Sequence, residues 1–208
     1  MFQSASGPWC LPTFLEVSAA TGARRGEILA LRWSDLRDGC AMVARSLTQT
    51  EDRLEFKEPK APDSVRPISL PESTLTALEL HRQKQAAFRA QFGPDYRADL
   101  DLIFANPDGT PLKPDSISSA VALLFRRLKL PEGASLHLLR HTHASLLLAD
   151  GVDLATVSER LGHSSVRVTA DIYSHAIRGR DQEAAQRWDK LMRPNGGLRE
   201  EANGVKAN

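Results

Sequence analysis

Residues 136–175 read LHLLRHTHASLLLADGVDLATVSERLGHSSVRVTADIYSH, and this stretch decides the architecture. Ser135 stands where a helix N-cap belongs, apolar residues run on to Ala149, and Gly151 ends the segment. Asp153 opens a second helix that closes at Gly162, and Ser164 or Ser165 opens a third that contains Tyr173. His137 falls in the first turn of its helix, where unpaired backbone N–H groups and the helix dipole favour an anion. Arg140, three residues on, shares that face, and its planar fork matches two phosphate oxygens in a way lysine cannot copy. His163 sits in the glycine junction between the last two helices, with Tyr173 on the helix that follows. Two histidines and an arginine suit a phosphodiester held in a reactive geometry. A tyrosine can attack its phosphorus if nearby cations help a hydroxyl of ordinary pKa ~10 lose its proton.

Other readings of the same run stay open on the residues alone. His137 and Arg140 also fit a solvated helix face whose other side, Leu136, Leu139, Leu146 and Leu147, is core. His137 and His141 lie at i and i+4, a spacing used by helical zinc sites, but Leu138 stands where the HExxH pattern has its glutamate. His141 and His143 otherwise read as one packed and one exposed histidine.

Outward from this run, the chain reads as helices, a β patch and more helices. Pro12–Ala20 has the apolar content of a helix, with Gly22 as its C-cap, and Arg25–Arg32 reads as a second, short one. Strands are expected over Cys40–Leu47, Leu54–Phe56 and Val65–Leu70, with Pro59, Pro62, Asp63 and Ser64 separating the last two. Helices follow from Pro71 to about Phe92, from Asp115 to Lys129, and from Asp181 to Met192. The chain has 208 residues, 41% hydrophobic and 25% charged, enough for one buried core without coiled-coil or disordered bias. The apolar run Ala144–Ala149 is too short to span a bilayer, and no secretory signal opens the chain. Cys10 and Cys40 form no metal-ligand pattern and no disulfide framework, so a reduced cytoplasmic compartment is the default. Net charge is +1, so a surface for nucleic acid has to come from local clustering of cations.

Two upstream blocks extend the pattern. ATGARRGEILALRWSDL, residues 20–36, places Arg24 on the turn after Gly22, with Glu27 able to orient a neighbouring cation by a charge-assisted hydrogen bond. EPKAPDSVRPISLP, residues 58–71, places Lys60 just before a turn and a strand that ends in Leu-Pro. These two blocks, with HLLRHTH and LGHSSVRVTADIYSH, resemble the catalytic core of the tyrosine recombinases, also called the phage integrase family. The likeness covers roughly Leu15 to Ile177. It implies a mainly α fold with a small three-stranded antiparallel β-sheet. It assigns catalytic roles to Arg24, Lys60, His137, Arg140, His163 and Tyr173. Ala61 departs from the threonine often found after the lysine, and Lys57 is the alternative to Lys60.

The resemblance further implies a site-specific DNA recombinase working without metal, ATP or other cofactor. Tyr173 would form a 3′-phosphotyrosine link, and strands would rejoin through a Holliday junction. The implied partner is double-stranded DNA, with a monomer in the free state and a tetramer on DNA. Family members carry a core-binding domain ahead of this region. None fits before Arg24, so residues 1–193 read as the catalytic domain alone and residues 194–208 as a flexible tail. Ala184, Ala185, Trp188 and Leu191 form one apolar stripe, expected to fold back or stay partly disordered in the free domain and to dock on a neighbour in the assembly. Three other classes compete: a type IB topoisomerase-like enzyme, a non-catalytic module in which residues 153–175 act as a helix-turn-helix, and a metal-dependent nuclease.

Overall fold

In the computed structural model, residues 7–51, 53–58, 65–177 and 181–192 are described. The first helix, α1 (Leu11–Thr21), starts with a proline in its first turn and buries Leu11, Phe14, Leu15 and Val17. It ends at Gly22, whose φ of 63° is left-handed and costs glycine little. A second helix, α2 (Arg25–Leu29), follows after Ala23 and the extended N-cap residue Arg24. It is shorter than the expected Arg25–Arg32 because the chain leaves it to pair with the segment near Leu102. Ile103 N–H donates to Leu31 O at 3.0 Å, and Trp33 N–H donates to Asp101 O at 2.9 Å.

The β patch comprises β1 (Leu36–Arg37), β2 (Cys40–Val43), β3 (Ser46–Gln49), β4 (Leu54–Lys57) and β5 (Arg66–Ser69). It forms two sheets. The three-stranded antiparallel sheet runs β1-β2-β5, with Cys40 opposite Ser69 and Val43 opposite Arg66, while β3 and β4 form a separate hairpin. The expected strand Cys40–Leu47 is therefore two strands, divided at residues 44–45. Arg45 is pulled aside by Asp35, with Nη1 2.5 Å from Oδ2, and β3 then packs on α2. Gly26 permits that approach, since a Cβ there would lie 2.6 Å from Leu47 O. The third strand of the main sheet is the two-residue β1, too short to announce itself as a pattern.

Helices close the fold. In α3 (Glu72–Phe92) the buried residues Thr74, Leu78, His81 and Gln85 recur at helical spacing, and α4 (Pro114–Arg127) adds Ile117, Val121, Leu124 and Phe125 to the main core. Then come α5 (Leu136–Ala149), α6 (Leu154–Leu161) and α7 (Val166–Ile177). Asp153 caps α6 by accepting from Thr156 N–H at 2.9 Å. Ser135 occupies the N-cap of α5, but its hydroxyl makes no capping hydrogen bond. A second, smaller core joins α5, α6 and α7 through Ala144, Leu148, Val157, Leu161 and Tyr173. Among the described residues, no helix is long and apolar enough to cross a membrane.

The last helix, α8 (Asp181–Met192), forms where expected but buries no residue. Its apolar stripe does not fold back on the domain: Trp188 is 65% exposed and Leu191 75%. Trp188→Ala should therefore change the stability of this chain by no more than about 0.5 kcal/mol. Phe14→Ala, in the main core, should cost about 3–5 kcal/mol. Urea unfolding followed by circular dichroism checks both.

Candidate active site

Two helix ends face each other at the centre of the site. Both α1 and α6 close on left-handed glycines, Gly22 at φ 63° and Gly162 at φ 67°. Their last carbonyls lack intrahelical partners and carry the negative end of the helix dipole. Four arginines satisfy them. Arg140, from α5, bridges the two ends, donating from Nη1 to Gly22 O at 2.6 Å and from Nη2 to Leu161 O at 2.9 Å. Arg160 donates to Ala20 O at 2.8 Å and to Ser69 O at 3.0 Å. Arg66 reaches Arg160 O at 3.0 Å and Leu161 O at 3.2 Å, and Arg24 reaches Gly162 O at 3.1 Å.

One buried carboxylate ties part of this cluster together. Glu27 accepts from Arg66 along both oxygens, at 3.2 and 2.9 Å, and from Arg24 Nη1 at 3.0 Å. It also accepts from the Arg24 backbone N–H at 2.7 Å, which closes the first turn of α2. Burial pushes this carboxyl up, but the hydrogen bonds and charges of Arg66 and Arg24 outweigh that, so its pKa lies below the ordinary carboxylate value. Arg25 turns elsewhere, to Pro114 O at 3.1 Å and to the Ser118 hydroxyl, which leaves Arg24 alone of the pair facing Glu27.

Arg24, His137 and Arg140 line a single cavity of about 460 Å³, whose wall also includes Arg25 and Ser46–Gln49 of β3. Burial, then the Arg24 charge, lowers the Arg140 guanidinium to about 10. His163 lies in the α6–α7 junction with Nδ1 2.7 Å from the buried Thr169 hydroxyl. Burial, with the charges of Arg140, Arg24, Arg66 and His137, lowers it to about 4, so the ring is neutral at neutral pH. Tyr173 is only 1% exposed and has non-helical angles, φ −110° and ψ 19°, within α7. Its ring meets His141 at 5.4 Å between centroids, and His141 in turn meets His137 edge-on at 5.2 Å. Burial raises the Tyr173 hydroxyl above its ordinary pKa, and the Arg140 charge works against that rise.

The six residues singled out from the sequence thus fall into three groups. Arg24, His137 and Arg140 share the cavity, while His163 and Tyr173 sit within the electrostatic reach of Arg140. Lys60 lies outside the described residues. Lys57, at the end of β4, is 3.6 Å from Glu55. His143 is not the exposed histidine expected: Nδ1 donates to Ala19 O at 2.9 Å, and Nε2 accepts from Arg160 Nε at 3.0 Å. Sequence reading passed over Arg66, Arg160 and His143. A signal existed for Arg66, since it occupies an inward position of a strand that alternates buried and exposed. For Arg160, on an amphipathic helix, there was none. Among the described residues no group of three or more His, Cys, Asp or Glu converges as metal ligands do.

The Phage integrase family profile matches residues 3–179, and the chain belongs to that family. It is 33% identical over 183 residues to the ICEBs1 integrase of Bacillus subtilis (strain 168), covering 86% of this chain and 49% of that protein. It is 29% identical to a XerC-like tyrosine recombinase of Caldanaerobacter subterraneus, covering 83% of this chain and 47% of that one. The chain spans about half the length of these curated relatives. Its fold is similar to the Tn1549 transposon integrase in complex with transposon right end DNA. That match has a TM-score of 0.75 and 18% identity, over 92% of this chain and 62% of the other. It is also similar to the XerH recombinase bound to difH substrate, at TM-score 0.61 and 25% identity, over 90% of this chain and 50% of that one. The fold is that of the tyrosine recombinase catalytic domain, mainly α with a small antiparallel sheet.

The histidines set the acid limit of the fold. His81, His143 and His163 each titrate near 4 in the folded chain, chiefly through burial. Unfolded histidine titrates at ~6.5, so below that pH the unfolded chain binds more protons. Stability should therefore be flat above about pH 6.5 and fall as pH drops from there towards 4. Urea midpoints across pH 4–8 test this, and a midpoint that does not change below pH 6 contradicts it.

Proposed function

We propose that this chain is the catalytic domain of a site-specific DNA recombinase that cuts and rejoins strands through a tyrosine. The observation that carries the reading is the single cavity lined by Arg24, His137 and Arg140, with His163 and Tyr173 in the field of Arg140. In this reading the two arginines and His137 hold the non-bridging oxygens of one phosphodiester, and His163 donates to the same group. The Tyr173 hydroxyl gives up its proton to solvent as its oxygen attacks phosphorus, the bond to the 5′ oxygen breaks, and a 3′-phosphotyrosine forms. The departing oxygen takes a proton from a general acid, a role the family resemblance gives to Lys60. A 5′-hydroxyl from a second strand then reverses the step. Each preorganised donor contributes about 3 kcal/mol, by analogy with oxyanion-hole donors.

The buried tyrosine fits this chemistry as a resting state. A hydroxyl with a raised pKa and almost no exposure is a poor nucleophile, so the DNA-free domain keeps its reactive group sheltered. A change in α7 at its irregular turn has to bring Tyr173 to the phosphorus. The partner is double-stranded DNA, and action in the cytoplasm as a tetramer on that DNA is part of the same proposal. A type IB topoisomerase-like enzyme would share the covalent step and differ in never exchanging partner strands.

The test is trapping on nicked suicide duplexes with a randomised core. The chain should become covalently attached to DNA, as seen on a denaturing gel. Tyr173→Phe should retain the fold and DNA binding but lose the adduct completely. The adduct should persist in excess EDTA, since the cations of the site are side chains. An adduct that survives in Tyr173→Phe removes this tyrosine from the mechanism. Cleavage that needs zinc or magnesium points instead to His137 and His141 as metal ligands.

A further inference from the structure

Arg66 occupies a place where a strand ordinarily puts an apolar side chain. It lies on the inward face of β5, beside Ile68, and is only 7% exposed. All three of its guanidinium nitrogens are engaged. Two form the fork with Glu27, Nε donates to Arg160 O, and Nη2 also donates to Leu161 O. The guanidinium lies directly against Gly162: a Cβ at that position would be 2.5 Å from Arg66 Nη1 and 2.6 Å from Cζ. From β5 this one side chain thus reaches the first turn of α2 and the α6–α7 junction.

Each of those contacts is one bond from a residue of the candidate site. Glu27 Oε1 also receives Arg24 Nη1. Leu161 O also receives Arg140 Nη2. Gly162 O receives Arg24 Nη2, and the next residue is His163. A buried arginine–glutamate pair is a weak source of net stability, because desolvating both charges offsets most of their attraction. What a bidentate fork supplies is direction. Resting on the reading above, we propose that Arg66, with Glu27 as its counter-charge, is a positioning residue that aims Arg24, Arg140 and His163 at one phosphate. It touches no reacting atom itself. It fixes the carbonyls and the carboxylate from which the three residues hang.

The test uses the DNA-free chain and orthovanadate, whose five-coordinate form resembles the phosphorane. Binding is followed by the His137 and His163 ring signals in NMR. Wild type should bind and shift both rings. Arg66→Lys keeps the charge but loses the fork, and should weaken vanadate binding by about tenfold or more, as loss of an orienting outer partner does elsewhere. The double variant Arg66→Met/Glu27→Gln removes one charge of each sign, so the net charge of the cluster is unchanged and no buried ion is left unpaired. It should fold with a thermal midpoint near wild type and still bind vanadate about tenfold more weakly or worse. On suicide duplexes recovered with wild type, both variants should form adduct roughly 100-fold more slowly at saturating DNA, with DNA affinity within about twofold. A double variant that binds vanadate and cleaves like wild type would falsify the positioning role and reduce Arg66 to a structural residue. If wild-type rings do not respond to vanadate and no wild-type adduct forms, the phosphate-site reading itself fails, and this proposal with it.

Discussion

The structure depends on two helix C-termini meeting head to head with four guanidinium groups between them. Helices α1 and α6 each end on a left-handed glycine and present unpaired carbonyls to the same space. Arg24, Arg66, Arg140 and Arg160 fill it, against one buried carboxylate, Glu27. Four like charges so close would repel strongly in an ordinary interior. Here the negative ends of two dipoles and their carbonyl oxygens hold them in place. The surplus of positive charge is fixed by backbone atoms, so the guanidinium groups are held in set directions. That is electrostatic preorganisation built from helix ends.

The same arrangement explains which parts of the chain were legible in the sequence. Glycines at 22 and 162, Asp153 at a cap and the apolar spacing of α3 to α7 are local signals, and the helices they predict are present. The β patch was read less well, because its divisions come from partners distant in sequence. Arg45 leaves the sheet for Asp35, and α2 stops early where Leu31 pairs with Ile103. The site followed the same rule. Arg24, His137, Arg140, His163 and Tyr173 stand in motifs and could be named. Arg66 and Arg160 act on backbone carbonyls up to 140 residues away, and no spacing along the chain records such contacts. Nor did the sequence reveal that Tyr173 would be part of a small hydrophobic core, because a tyrosine at helical spacing looks alike buried or free.

Two features of the candidate site bear on its reactivity in the DNA-free domain. Its tyrosine is sheltered by Ala144, Leu148, Val157 and Leu161, and its junction histidine is neutral. In the proposed reading Arg24 and Arg140 supply a fixed positive charge at the site, since a guanidinium stays protonated over any ordinary pH.

The contact between Gly162 and Arg66 has a consequence for how such chains can vary. The guanidinium fills the space that any side chain at 162 would enter, and the left-handed backbone there already disfavours one. The two positions are mutually exclusive as occupants of one volume. A descendant of this sequence can exchange the glycine for a larger residue only after residue 66 has become smaller, and that first change uncovers Glu27. The route between the two states crosses a form in which Glu27 has lost its bidentate partner and keeps Arg24 alone as its cation. Residues 96 positions apart in the chain are thereby coupled through one shared volume.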